Sequence, residues 1–156
     1  MLDFEVVSDR EHPLVPVARA LFEDYARELN IDLCFQGFQD ELEALPGKYS
    51  PPRGALFVVM DSGQPIACGA LRPLDDDTCE LKRIYIEPAH RGSGLGRQIT
   101  QELLNIARTA GYKIAKLDTL RRLVPACNLY KSLGFVEIEP YNFNPEHDIV
   151  YLQLEL

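Results

Sequence analysis

The stretch RIYIEPAHRGSGLGRQI, residues 83–99, decides how this chain folds. An apolar run stops at Glu87-Pro88, and Gly92, Gly94 and Gly96 follow in quick succession. Glycines this dense let a backbone turn sharply or lie close against a ligand. Leu95, Ile99, Leu103, Ile106 and Ala110 then step by four, four, three and four. That is one apolar face of an α-helix, closed by Gly111. A strand, a glycine turn and a helix start, in that order, gather unblocked N–H groups at the positive end of a helix, which suits a diphosphate.

Three ligands bring a diphosphate or triphosphate to such a turn. A dinucleotide fingerprint needs G-x-G-x-x-G after a strand; here the spacing is G-x-G-x-G, with Arg97 in the third-glycine position. Asp118 stands at about the distance of a ribose-binding acid. However, earlier strands precede the unit and no second nucleotide-binding half follows. A nucleoside-triphosphate loop fails because no Gly-Lys-Ser/Thr follows the glycines. Another pyrophosphate carrier fits: side chains at 92, 94 and 96 would crowd its phosphates, and Arg91 and Arg97 offer charge-assisted bonds.

The rest of the chain builds around that unit. FEVV (4–7) reads as a strand. Pro13 and Pro16 suit a first helical turn, after which Val17, Leu21, Tyr25 and Leu29 recur at helical spacing. FQDELEAL (38–45) is a short helix stopped by Pro46-Gly47. ALFVVM (55–60) and QPIACGAL (64–71) flank Asp61-Ser62-Gly63 as a hairpin. The acidic turn PLDDDT leads into the strand CELKRIYI (79–86). After the central helix come the strand KIAKLD (113–118), the helix PACNLYKSL (125–133) with Gly134 as its cap, and the strands FVEI and IVYLQLEL. The order is β-α-α-β-β-β-α-β-α-β-β, with hairpins around one strand–helix–strand unit. A mixed α/β sheet in a single domain over residues 1–156 is expected.

Composition narrows the function classes. The chain is 46% hydrophobic and 26% charged, as in an ordinary globular protein. No apolar run nears the roughly 20 residues that span a bilayer, and the N-terminal stretch lacks the basic-then-apolar order of a signal peptide. A cytoplasmic location and no membrane partner are expected. Cys34, Cys68, Cys79 and Cys127 lie far apart, and His12, His90 and His147 are scattered; free thiols and no metal site are expected. The net charge of −8 argues against a nucleic-acid partner and is compatible with a cationic small molecule.

The motif RGSGLG resembles the R/Q-x-x-G-x-G/A motif of the GNAT superfamily of N-acetyltransferases, at Arg91, Gly94 and Gly96. ACNLYKSLGF (126–135) is similar to that superfamily's second signature, A-x-x-L-Y-x-x-x-G-F, at Ala126, Leu129, Tyr130, Gly134 and Phe135. The resemblance is strong over residues 55–136. It implies a mixed, mostly antiparallel sheet of six or seven strands with about four helices. It also implies an enzyme that binds acetyl-CoA (coenzyme A) and passes the acetyl group to a primary amine in a ternary complex, the amine belonging to a small molecule, an amino acid or a peptide.

The resemblance further implies site residues. The strand before the glycines splays from its neighbour, putting Ile84, Tyr85 and Ile86 along the cofactor. Arg91, Gly92, Ser93, Gly94, Leu95, Gly96 and Arg97 surround its diphosphate. Tyr130 takes the position whose hydroxyl approaches the CoA sulfur as general acid; the bland alternative is a core tyrosine. Glu80 takes a position used as general base, its pKa raised by burial; the alternative is a solvated strand glutamate beside Lys82. Leu123 replaces an asparagine common in the superfamily, and Asn128 is the nearby substitute for its hydrogen bonds. Asp118 and Thr119 face the acceptor, as do Asp32, Phe35 and Gln36 between the first two helices. PYNFNPEHD (140–148) closes over the substrate or forms a dimer contact, a homodimer being one expected assembly. From other classes, a non-catalytic acyl-CoA-binding regulatory module would keep the same fold, and an oxidoreductase would require NAD(P) binding.

Overall fold

The structure, a computed structural model, describes residues 1–30, 33 and 37–156. Its elements run β1 (Leu2–Val6), α1 (Val15–Leu29), α2 (Phe38–Ala44), β2 (Ala55–Asp61), β3 (Gln64–Pro73), β4 (Thr78–Ile86), α3 (Leu95–Thr109), β5 (Ile114–Leu120), α4 (Val124–Ser132), β6 (Val136–Ile138) and β7 (Ile149–Glu155). The strands form one sheet in the order β1-β2-β3-β4-β5-β7-β6. Every neighbouring pair is antiparallel except β4 and β5. The order expected from the sequence is the order observed, with element ends displaced by one or two residues.

The apolar run in β2 has a simple cause: both faces of the sheet are covered. Phe57 and Val59 point into a core shared with Leu95, Ile99 and Leu103 of α3. Leu56 and Val58, one residue out of step, join Ala18, Leu21 and Phe22 of α1 and Leu42 of α2. The β2–β3 hairpin turns on Ser62 and Gly63.

 Both residues, Ser62 at 51° and Gly63 at 82°, are left-handed, which gives a two-residue turn whose twist matches the strands. No helix among the described residues is long and apolar enough to cross a membrane. Cys68, Cys79 and Cys127 are buried free thiols.

Two departures from regular strand geometry shape the site. First, β4 and β5 pair only at Thr78↔Ile114, Cys79↔Ala115 and Glu80↔Lys116. Beyond Glu80 the strands part, although β5 stays paired with β7 to Leu120 and β4 with β3 to Ile86. Second, the β3–β4 register slips between Cys68 and Ala70, and Arg83 sits there at φ 60°. The bulge adds one residue to β4 and moves Arg83 and Tyr85 to the α1 face, with Ile84 and Ile86 on the α3 face.

Arg83 is 2% exposed and holds Glu41 of α2 in a two-pronged ion pair, 2.8 Å from Nε and 2.9 Å from Nη2. Its guanidinium also lies 5.2 Å from the Phe38 ring centre and 5.5 Å from that of Tyr25. Removing the carboxylate strands much of that buried charge. Glu41→Ala is therefore expected to cost about 2–4 kcal/mol and to lower Tm by roughly 5–15 °C in thermal unfolding. A Tm within 2 °C (about the effect of 1 kcal/mol or less) of the parent would mean that the pair does not hold the bulge.

Candidate active site

The parting of β4 and β5 opens a cleft of about 100 Å³. Leu81, Lys82 and Ile84 line one side, Asp118 and Thr119 the other, and Tyr130 of α4 reaches in with Tyr25 of α1. The backbone of β4 is available here. Glu87 N–H donates to Ile66 across β3 at 2.8 Å, so by strand alternation the peptide groups of Ile84 and Ile86 point the other way, toward the opening. The Ile86 carbonyl accepts from Arg91 Nε at 2.9 Å.

At the end of β4 the chain turns through residues 87–94 into α3. Gly92 and Gly94 have φ of 83° and 86°, and a β-carbon on either would meet nothing within 4 Å. These two glycines are thus required by backbone conformation, while the space beside them stays open. Gly96 differs, because its β-carbon would approach Leu129 Cδ2 at 3.3 Å; it lets α3 pack against α4. Among the described residues, the N–H groups of residues 92–97 donate to no backbone or side-chain acceptor. They form an array of donors without protein acceptors, with the dipole of a 15-residue helix behind it.

The basic residues of the turn are partly committed. Arg91 Nη2 pairs with Glu28 at 2.6 Å and its guanidinium lies 5.7 Å from the Tyr85 ring centre. Arg97 Nη2 donates to Ser132 Oγ at 2.7 Å, tying α3 to α4. Ser93 Oγ donates to the His90 carbonyl at 3.1 Å. Leu95 is buried in the core as the first residue of α3, and Tyr85 is buried on the α1 face, away from Ile84 and Ile86.

Tyr130 is 7% exposed, its ring set edge-on to Phe135 at 5.8 Å. Burial raises its hydroxyl pKa above the usual tyrosine value, so the group stays protonated and able to donate. Across the cleft, burial holds the Asp118 carboxyl above the usual carboxylate range, with the nearby Lys82 charge opposing. Asn142 Nδ2 donates to Asp118 at 3.3 Å, and Tyr151 fixes that amide by donating to Asn142 Oδ1 at 2.9 Å. Burial, then the charge of Arg83, pulls the Lys82 ammonium below the ordinary lysine value.

The sequence expectation for Glu80 is a general base, its pKa raised by burial, or else a solvated strand glutamate beside Lys82. It is 1% exposed, and both its oxygens are engaged: Arg72 Nε donates to Oε1 at 2.8 Å and the Tyr141 hydroxyl to Oε2 at 2.7 Å. It lies where β4 and β5 are still paired and lines neither side of the cleft. Nor is it a solvated strand residue. Asn128 is also turned away: Ala126 and Tyr130 share the cleft face of α4, and Asn128, about 200° round the axis from each, is exposed. Leu123 itself lines the cleft. Asp32, Phe35 and Gln36 lie outside the described residues.

Sequence reasoning missed Arg72, Lys82, Tyr141 and Asn142 as site residues. The Arg72↔Glu80 pair is a cross-strand neighbour pair that counting outward from PLDDDT would have found. The segment PYNFNPEHD is singled out in the sequence, yet its contacts depend on where β7 returns beside β5.

Comparison with known proteins agrees with the geometry. The sequence model of the acetyltransferase (GNAT) family matches residues 18–135. An uncharacterised N-acetyltransferase of Schizosaccharomyces pombe is 40% identical over 140 residues, 88% of this chain and 86% of its own. Among solved structures, an acetyltransferase from Streptococcus agalactiae shares the fold with a TM-score of 0.78 at 20% identity, covering 98% of each chain. A GNAT family acetyltransferase from Elizabethkingia anophelis, solved with acetyl-CoA bound, gives a TM-score of 0.58 at 23% identity, over 67% of this chain and 77% of its own.

Proposed function

Because the chain belongs to the acetyltransferase (GNAT) family, we propose that it transfers an acetyl group directly from acetyl-CoA to a primary amine, with both substrates bound together. The observation that carries this reading is the joint one: a donor array at residues 92–97 lies at the end of the strand whose partner has parted from it, and the cleft so opened holds Tyr130 and Asp118. N–H groups without a protein acceptor suit a diphosphate, and the unpaired edge of β4 suits the amides of a pantetheine arm.

The chain's own groups divide the work. Residues 92–97 hold the diphosphate, with Arg91 and Arg97 beside it. Ile84 and Ile86 offer peptide groups to the arm. The lone pair of the neutral amine forms the new C–N bond at the thioester carbon, and Asp118 accepts the proton that the nitrogen sheds as it does so. The C–S bond breaks, and the Tyr130 hydroxyl donates a hydrogen bond to the sulfur as its negative charge develops. Asn142 orients Asp118, and Thr119 lies beside the acceptor.

The test is release of free CoA thiol with and without an amine panel, with mass spectrometry of the acceptor. Amine-dependent release with an acetylated product is expected. Release that ignores the amine, or no release, would overturn the proposal. Gly94→Glu supplies a second check: a non-glycine residue at φ 86° costs about 1–2 kcal/mol, and its carboxylate would face the phosphates. The variant is expected to stay folded while its affinity for acetyl-CoA falls at least tenfold by calorimetry (about 1.4 kcal/mol). Unchanged affinity would remove the turn from the binding site.

A further inference from the structure

Beside the cleft, on the α2 side of the sheet, lies a second and larger cavity of about 760 Å³. Lys82 lines both spaces, and so joins them. Asn142, whose amide touches Asp118, lines the cavity too, followed by Phe143. Lys82 and Asn142 thus connect the Asp118 carboxylate to this second space.

The charge on the wall of that cavity is built, not incidental. Arg72 lines it and is one-quarter exposed. Its Nε is held by Glu80, which is in turn locked by Tyr141. Among the described residues, Nη1 and Nη2 of Arg72 donate no hydrogen bond, so the outer end of the fork remains available. Lys48 and Lys82 line the same cavity. Of the carboxylates lining it, Glu41 spends both oxygens on Arg83, and Asp40 is exposed. Glu80 is too deeply buried to meet a ligand and acts through Arg72. A planar guanidinium anchored at Nε presents its two outer nitrogens to a carboxylate.

We infer that the cavity holding Arg72 is the acceptor site for a small amine that carries a carboxylate, an amino acid in class, with Arg72 binding the carboxylate and Glu80 positioning Arg72. This rests on the acetyl transfer proposed above and specifies its acceptor. The net charge of −8 is compatible with a cationic small molecule; the wall of this cavity differs from that average, with Arg72, Lys48 and Lys82 on it.

The experiment compares matched pairs: phenylalanine with phenethylamine, methionine with 3-(methylthio)propylamine, and alanine with ethylamine. KM is measured in acetyl transfer, and binding is measured by calorimetry with CoA present in place of acetyl-CoA. At least one amino acid is expected to have a KM and a Kd about tenfold or more below its decarboxylated partner's, the scale of a lost charge-assisted bond. Arg72→Met is expected to bring that pair to parity, and Arg72→Lys to restore part of the preference. Glu80→Gln is expected to raise the amino-acid KM while leaving the pH midpoint of kcat in place, as befits a positioning residue. Transfer to the decarboxylated amines as good as to the amino acids in every wild-type pair would overturn the inference with acetyl transfer intact. So would an Arg72→Met variant that weakens both members of a pair alike. Absence of transfer to any amine would instead overturn the proposed function, and this inference with it.

Discussion

Asp118→Asn is expected to lower kcat by about two to four orders of magnitude, the range supplied by a positioned general base. Asp118 lies on β5 beyond the last residue paired with β4, so its carboxylate faces the cleft, and Asn142 holds it there at 3.3 Å. The electrostatics agree. A carboxylate near its ordinary pKa of about 4 is a weak base at neutral pH, whereas burial in the cleft moves Asp118 upward. The sign follows directly. The base must be unprotonated to act, so kcat rises with pH as Asp118 loses its proton, with a midpoint above that of an exposed aspartate. In Asp118→Asn that rise disappears, because the amide does not titrate. An asparagine variant that kept both its rate and its acidic limb would assign the proton to another acceptor.

Tyr130→Phe is expected to reduce kcat by about two to three orders of magnitude with little change in acetyl-CoA affinity, as for loss of one donor at a developing anion. Burial keeps the hydroxyl protonated well past neutrality, since its pKa is raised above that of an ordinary tyrosine. Complete transfer of that proton to a thiolate, with a thiol pKa of about 8.5, is uphill. The hydroxyl therefore contributes by hydrogen bonding to sulfur while the C–S bond breaks, and it adds no limb of its own to the pH profile near neutrality. The Phe135 contact at 5.8 Å survives the substitution, so stability changes little. Steady-state kinetics against a Tm measurement separates the roles: a large Tm loss with an unchanged rate per folded molecule would make Tyr130 a packing residue only.

Much of the fold was legible because local signals agreed with one another. The helical step from Leu95 to Ala110 matches α3 (Leu95–Thr109), and Ser62-Gly63 turns where the flanking apolar runs require. β4 was legible as a strand, but not its bulge: nothing in CELKRIYI marks Arg83 for φ 60°, because the partners that hold it there, Glu41 and the rings of Phe38 and Tyr25, come from elements more than 40 residues away. Glu80 is half legible: Arg72, eight residues back on β3, is its cross-strand neighbour, whereas Tyr141, which claims the other oxygen, lies 61 residues further along the chain. Asn128 is legible from local geometry: two residues from Ala126 and two from Tyr130 on one helix, it faces away from both.

The glycine spacing marks a turn, and the structure adds what each glycine does within the protein. Gly92 and Gly94 answer to backbone conformation and Gly96 to Leu129 of α4. Only folding reveals which side of each glycine is open. The turn nevertheless leaves the N–H groups of residues 92–97 without a protein acceptor among the described residues.

The most direct test of the central claim is a ¹H–¹⁵N NMR titration of the backbone amides with acetyl-CoA. The account predicts saturable shifts concentrated at residues 92–97, at Ile84 and Ile86, and at the cleft residues Asp118 and Tyr130. Binding that left those amides unmoved and shifted others, or no binding at all, would contradict it.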